Sequence, residues 1–113
     1  MRAISTIPNL GPASEADYLR AGFASAEAIE AAGADAAYTA VLRTGIRPHF
    51  IGYYALVMGL QGRPWHDCRG AEKAALRRRF DALKDAAVRE GAPSAALAAH
   101  LDEIGLSRSV HAS

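Results

Sequence analysis

Apolar residues along this chain fall in short runs closed by single glycines, and within each run they recur every three or four positions, the period of a helix. Tyr38, Val41 and Leu42 form one such run. Leu76, Phe80, Leu83 and Ala87 form a second at intervals of four, three and four, and Leu97, Leu101 and Ile104 form a last one. Over residues 48–61 the pattern changes: Phe50, Ile51, Tyr53, Tyr54, Leu56, Val57, Met58 and Leu60 leave no polar side, as in a helix that other helices surround. Gly52 and Gly59 inside it cost about 1 kcal/mol each in helix propensity, which points to a close crossing by another element.

The punctuation supports this division. Ile4 and Ile7 lead into Pro8; the chain turns through Asn9 and Gly11 and restarts at Pro12, a residue favoured at the first helical position, to close at Gly22. Ser25 stands where an N-cap is needed, with acidic Glu27 in the first turn behind it. Gly33, Gly45, Gly62, Gly91 and Gly105 close the later segments. The expected fold is all-α, a compact bundle of about five to seven short helices in a single domain over residues 1–106. A hairpin spans residues 4–22, a central helix about 48–61, a long helix about 70–90 and a terminal helix about 93–104, followed by a flexible tail at 107–113.

The apolar-Pro-Asn-Leu-Gly turn, with Leu19, Gly22 and the helix starting at Ser25, resembles the C-terminal domain of the TfoX/Sxy family, bacterial regulators of DNA transformation competence. The block Tyr54, Ala55, Leu56 through Leu60, Gln61, Gly62, Arg63, Pro64 and Trp65 extends the resemblance, which covers about residues 4–83. More distantly the hairpin is similar to the helix-hairpin-helix element and to the DNA-binding C-terminal domain of the RNA polymerase alpha subunit. The resemblance implies a small helical module connected with nucleic acid or transcription. Because the chain begins almost at the hairpin, it reads as the C-terminal module standing alone.

Composition narrows the chemistry. Half of the 113 residues are hydrophobic, many of them Ala, and a formal net charge of +1 gives no global attraction to nucleic acid or to a membrane surface. With a single cysteine, Cys68, no intramolecular disulfide forms, which fits a reducing compartment. No apolar run is long enough to span a bilayer and no leader pattern opens the chain, so a cytoplasmic location is expected and no membrane partner. His49, His66 and Cys68 lack the spacing of a metal site, no phosphate-binding glycine loop or nucleophile motif is present, and no cofactor or enzymatic activity is expected. Cys68 reads as a capped, partly buried thiol.

Two groups of residues are candidates for contact with a partner. In the hairpin, the amides of Leu10, Gly11, Ala13 and Ser14, with the Asn9 amide and the Ser14 hydroxyl, are placed to meet a phosphate of double-stranded DNA at the positive end of a helix. Arg43, Arg47 or Arg63 would supply the cation that Pro12 and Ala13 lack, against the opposing Glu15 and Asp17. The other interpretation of the turn is a tight connection between packed helices. The second group is Lys73, Arg77 and Lys84, on one side of the long helix with Asp81 and Asp85 interleaved; these fit either a weak backbone-directed DNA contact or a solvated face. Phe50, Tyr53, Tyr54, Trp65 and Phe80 are expected in the core, with one of the two adjacent tyrosines keeping its hydroxyl near the surface or an interface. Two functions follow: a DNA- or transcription-associated module, alone or beside a transcription regulator or a separate N-terminal module, and a protein interaction module or homo-oligomer that touches no nucleic acid.

Overall fold

The computed structural model describes residues 1–91; the expected helix over 93–104 and the tail over 107–113 lie outside the described residues. Helices α1 (Pro12–Arg20), α2 (Ala26–Ala32), α3 (Ala34–Arg43), α4 (Phe50–Leu60) and α5 (Gly70–Arg89) are joined with single 3-10 turns at Ile4–Thr6 and Trp65–Asp67. No strand occurs among the described residues, and the fold is all-α. α3, α4 and α5 pack on one another, while α1 and α2 lean on α3 and on the N-terminal 3-10 turn.

Local chemistry explains most boundaries. Gly11 is extended and Pro12 takes the first helical position of α1. The Ser25 hydroxyl accepts the Ala28 amide at 3.2 Å and so caps α2. Gly33, at φ 87°, ends α2 and starts α3 in one step, a conformation that costs glycine little.

The apolar α4 is enclosed as its sequence requires, with Tyr53, Leu56 and Met58 fully buried. Both adjacent tyrosines are inside. Tyr53 donates its hydroxyl to Asp35 at 2.5 Å, and Tyr54 meets the Phe50 ring edge-on at 4.9 Å. Both rings are covered because α3 and α5 pack on α4 from two sides, and the Tyr53 hydroxyl is the one that reaches toward the surface, onto the half-exposed Asp35 carboxylate. Arg79 on α5 reaches the same Asp35 carboxylate at 2.7 and 3.3 Å, so one acidic residue ties α3 to both neighbours. Burial pushes the Asp35 carboxyl up, but hydrogen bonds from Arg79 and Tyr53 outweigh it and hold the group below its ordinary range. Tyr38, whose hydroxyl accepts the His49 amide at 2.9 Å and donates to the His49 carbonyl at 3.1 Å, fixes the approach to α4.

Gly59 marks the close crossing. A Cβ there would overlap the Pro8 carbonyl oxygen and come within 3.1 Å of Ile7 Cγ2, so the turn rests directly on the α4 backbone. Gly52 is different: its nearest neighbours, His49 Cβ and Tyr38 Cε1, are both 3.9 Å from the Cβ position. Trp65 departs from expectation. The residue is 48% exposed and its ring stands edge-on to His66, because the 3-10 turn that carries it lies on the outside of the bundle.

The N-terminus is latched to α2. The Arg2 amide donates to both oxygens of Glu27 at 2.9 and 3.1 Å, the Arg2 carbonyl accepts the Ala26 amide at 2.9 Å, and the guanidinium pairs with Glu27 and Glu30. The Arg2 amide is the largest influence in holding the Glu27 carboxyl down at about 2.

Gly59→Ala is expected to lower stability by about 2 kcal/mol or more and the thermal midpoint by about 10 °C, because only backbone can move to admit the methyl. Gly52→Ala is expected to be neutral or to stabilise by up to about 1 kcal/mol; thermal melts of the two variants check the contrast. A carboxyl depressed on folding adds stability above its unfolded value and loses it as pH falls toward its folded value, so the contribution of the latch to stability is complete above about pH 4.5 and is lost as pH falls to about 2. The Arg2 amide resonance, which reports the folded state, is expected to titrate with a midpoint near pH 2, and in Glu27→Gln to show no such titration.

Candidate functional site

The hairpin turn forms because Asn9 takes a left-handed conformation, φ 73°, that asparagine tolerates better than most side chains. Ile7 and Leu10 on either side are buried, and the Leu10 amide donates to the Ile7 carbonyl at 3.2 Å. The Asn9 carboxamide faces inward. Its Nδ2 donates to the carbonyls of Ala55 and Arg63, both at 3.0 Å, and its Oδ1 accepts the Trp65 amide at 3.1 Å. The amides of Asn9 and Leu10 that the sequence offers to a phosphate are therefore engaged within the fold.

At the start of α1, the Gly11 carbonyl accepts the Glu15 amide at 2.9 Å, and no side chain caps the helix. The Ala13 and Ser14 amides belong to the first turn, where no intrahelical acceptor exists. Glu15 occupies the neighbourhood, with its carboxylate accepting the Ser5 amide at 3.0 Å, and Asp17 pairs with Arg20. The cations expected beside the turn are placed elsewhere. Arg43 forks onto Glu90 at 2.9 and 3.2 Å, joining the ends of α3 and α5. Arg47 precedes α4, whose 11 residues span about 16 Å, whereas the turn sits against its C-terminal half. Arg63 is the guanidinium nearest in sequence to the connector that Asn9 grips, and it forks onto Glu72 at 2.8 and 2.9 Å with Asp67 at 3.5 Å.

The second group does come together. Lys73 Nζ lies 5.3 Å from the Tyr54 ring centre, Arg77 Cζ 5.2 and 5.4 Å from those of Phe50 and Phe80, and Lys84 Nζ 5.8 Å from that of Phe80. These are cation–π distances, and they follow from positions flanking the apolar stripe of α5. Arg77 also pairs with Asp81, its Nε 3.2 Å from Oδ1. Arg47 and His49 complete the surround of a concavity of about 260 Å³ between the approach to α4 and the side of α5. Sequence reading assigned Arg47 to the hairpin and missed this grouping; the available signal was Arg47 and His49 flanking Pro48 next to aromatic Phe50.

Cys68 is buried, and burial, reinforced by Glu72, pushes its thiol up, so it is a poor nucleophile. Among the described residues no cluster of three metal-ligating side chains forms, and no helix is long and apolar enough to cross a membrane.

A family model described as the TfoX C-terminal domain matches residues 1–80, and the chain belongs to that family. The match spans the hairpin, the central helix and the first half of α5. No curated protein and no solved structure matches the chain.

Asn9→Ala leaves two carbonyls and one amide without their partner and puts at φ 73° a residue that tolerates the left-handed region less well than asparagine, for an expected loss of about 2–4 kcal/mol. Asn9→Gly relieves the backbone cost and is expected to be the milder change by about 1 kcal/mol. Asn9→Asp, which at neutral pH only accepts, is expected to lose both donor bonds. Denaturant unfolding of the three variants checks this order of roles; equal stability of Asn9→Asp and the parent chain is the contrary result.

Proposed function

We propose that this member of the TfoX C-terminal domain family is a non-enzymatic, cytoplasmic module of transcription or competence regulation that contacts the backbone of double-stranded DNA, alone or beside a regulator. Its contact face is the side of α5 that carries Lys73, Arg77 and Lys84, extended by Arg47, and the hairpin contributes by shaping the fold. The observation that carries this is the placement of those cations. Elsewhere Arg2, Arg20, Arg43, Arg63 and Arg79 lie on carboxylates of this chain; on this face Arg77 pairs with Asp81 beside the Phe50 and Phe80 rings, Lys73 stands over the Tyr54 ring, and Arg47 meets no carboxylate among the described residues. Exposed Arg47 and Lys73 are the cations of this face best placed to release counterions from a phosphate backbone.

A second reading has its own support. Leu19 and Ile51 are 52% and 60% exposed, and with Trp65 they put apolar area on the surface that a second copy or a regulator domain could cover. Near-neutral charge suits that role as well.

Fluorescence anisotropy of a labelled duplex at 50 to 200 mM salt separates the two. Backbone contact is expected to weaken steeply with salt, with a log–log slope near −0.9 per phosphate neutralised, and Lys73→Glu is expected to reduce that slope by about 1 without a change in melting temperature. Absence of duplex binding at 50 mM salt, together with a dimer mass by light scattering, overturns the DNA reading in favour of the second.

A further inference from the structure

We propose that the Trp65 ring is a stacking platform for an unpaired base of single-stranded nucleic acid, with Arg69 and Lys73 meeting phosphates of the same strand. The residue is 48% exposed although it belongs to a connector that the fold holds closely. Its amide donates to Asn9 Oδ1 at 3.1 Å, its carbonyl accepts the Cys68 amide at 3.1 Å, and the Asp67 amide donates to the Pro64 carbonyl at 3.0 Å. A large ring presented on backbone held in this way loses little freedom when a flat partner covers it.

Other rings of this half of the chain are met by cations: Lys73 stands over Tyr54, Arg77 over Phe50 and Phe80, and Arg79 over Tyr53. Against Trp65, among the described residues, stands no cation and no ring but that of His66, edge-on at 5.7 Å. An edge-on neighbour occupies at most one face of an indole. Every base has a face to stack on such a ring, with a gain of about 1–3 kcal/mol per base. In a duplex each base already lies between its neighbours, so the same ring selects a base that is unpaired.

Charge favours a nucleic-acid strand over an apolar protein segment. Asp67 and Glu72, the acidic groups of the connector and of the first turn of α5, are both held by Arg63, at 3.5 and 2.8 Å. Arg69 and Lys73 are exposed and pair with no carboxylate among the described residues, and the Lys73 amide on the Arg69 carbonyl sets them one helical turn apart. Arg63, Arg69 and Lys73 against Asp67 and Glu72 leave a formal +1. The elements on which the connector rests, α4 and the turn over residues 7–11, contain no charged residue to oppose it. An apolar segment would cover the two cations without pairing them, whereas a strand brings a phosphate with each base.

The site does not depend on the duplex reading. The chain has one tryptophan, so its emission reports Trp65 directly. A short oligothymidylate titrated into the full chain at low salt is expected to quench that emission to saturation, and an oligouridylate of equal length to bind within a few-fold of it, because stacking does not depend on the sugar. An abasic strand with the same phosphates, and a duplex of the same length, are expected to leave the emission unchanged. Followed through a dye on the oligothymidylate, Trp65→Ala is expected to weaken binding about tenfold and Trp65→Phe no more than about threefold, both with an unchanged melting temperature. Arg69→Gln is expected to lower the salt slope by about 0.7, the share of one phosphate of a single strand. Absence of saturable quenching by the oligothymidylate, equal quenching by the abasic strand or the duplex, or an unaltered affinity in Trp65→Ala overturns the site. So does a blue shift that grows with protein concentration and ignores the oligonucleotide, the result of a second copy covering the ring. Duplex binding without quenching by the single strand removes this site alone; quenching by the single strand without duplex binding upholds it and removes the duplex reading.

Discussion

A single carboxamide joins the N-terminal turn to the end of α4 and the connector beyond it, 46 to 56 positions further along the chain. Asn9 donates to the Ala55 carbonyl within α4 and to the Arg63 carbonyl beyond it, and accepts from the Trp65 amide in the connector to α5. Connector backbone has no helical ladder to complete, and half-buried polar groups without partners are costly. Asparagine alone among the small polar residues offers two donors and an acceptor on one planar group while tolerating the left-handed backbone the turn needs. Drawing the turn onto α4 brings the Pro8 carbonyl against Gly59, so the bare glycine in the central helix is a consequence of the same contact.

That arrangement changes what the hairpin can do. A turn whose side-chain amide and Leu10 amide are already in hydrogen bonds works as a clasp between helices, and the two amides left at the head of α1 share their surroundings with Glu15. Ion pairs complete the assembly: Asp35 with Arg79, Arg43 with Glu90 and Arg2 with Glu27 each join different elements. Exposed pairs contribute little apiece, about 0–1 kcal/mol. Their larger effect is on distribution, because they place six guanidinium groups, those of Arg2, Arg20, Arg43, Arg63, Arg77 and Arg79, against carboxylates of the chain.

Much of this architecture is legible from periodicity and punctuation. The all-apolar run gave the central helix, Gly59 gave the close crossing, and the Pro12 and Ser25 positions gave helix starts, since each rests on a local rule that tertiary context does not override. Trp65 was misplaced because the rule used was average burial of a large ring; here the residue serves through its backbone amide, which no side-chain pattern reports. Tyr53 and Tyr54 both bury their rings because α4 is covered on more than one face, while the Tyr53 hydroxyl, as the adjacency of the two residues implies, reaches a half-exposed carboxylate. The partner of Arg47 was invisible for a similar reason: residues 47 and 77 become neighbours only through the packing of α4 on α5.

Folding and binding place different demands on the two candidate regions, and what each donor already holds is what separates them. Arg77 lies over the Phe50 and Phe80 rings and gives its Nε to Asp81, so it covers the core with its remaining nitrogens in no hydrogen bond among the described residues. An ammonium over a ring likewise points some donors away from it, as at Lys73 over Tyr54. At the Asn9 turn the side-chain amide and the Leu10 amide close the fold, and the amides that remain at the head of α1 sit beside Glu15. The turn therefore offers an arriving anion a neighbouring negative charge, whereas the side of α5 offers it positive ones.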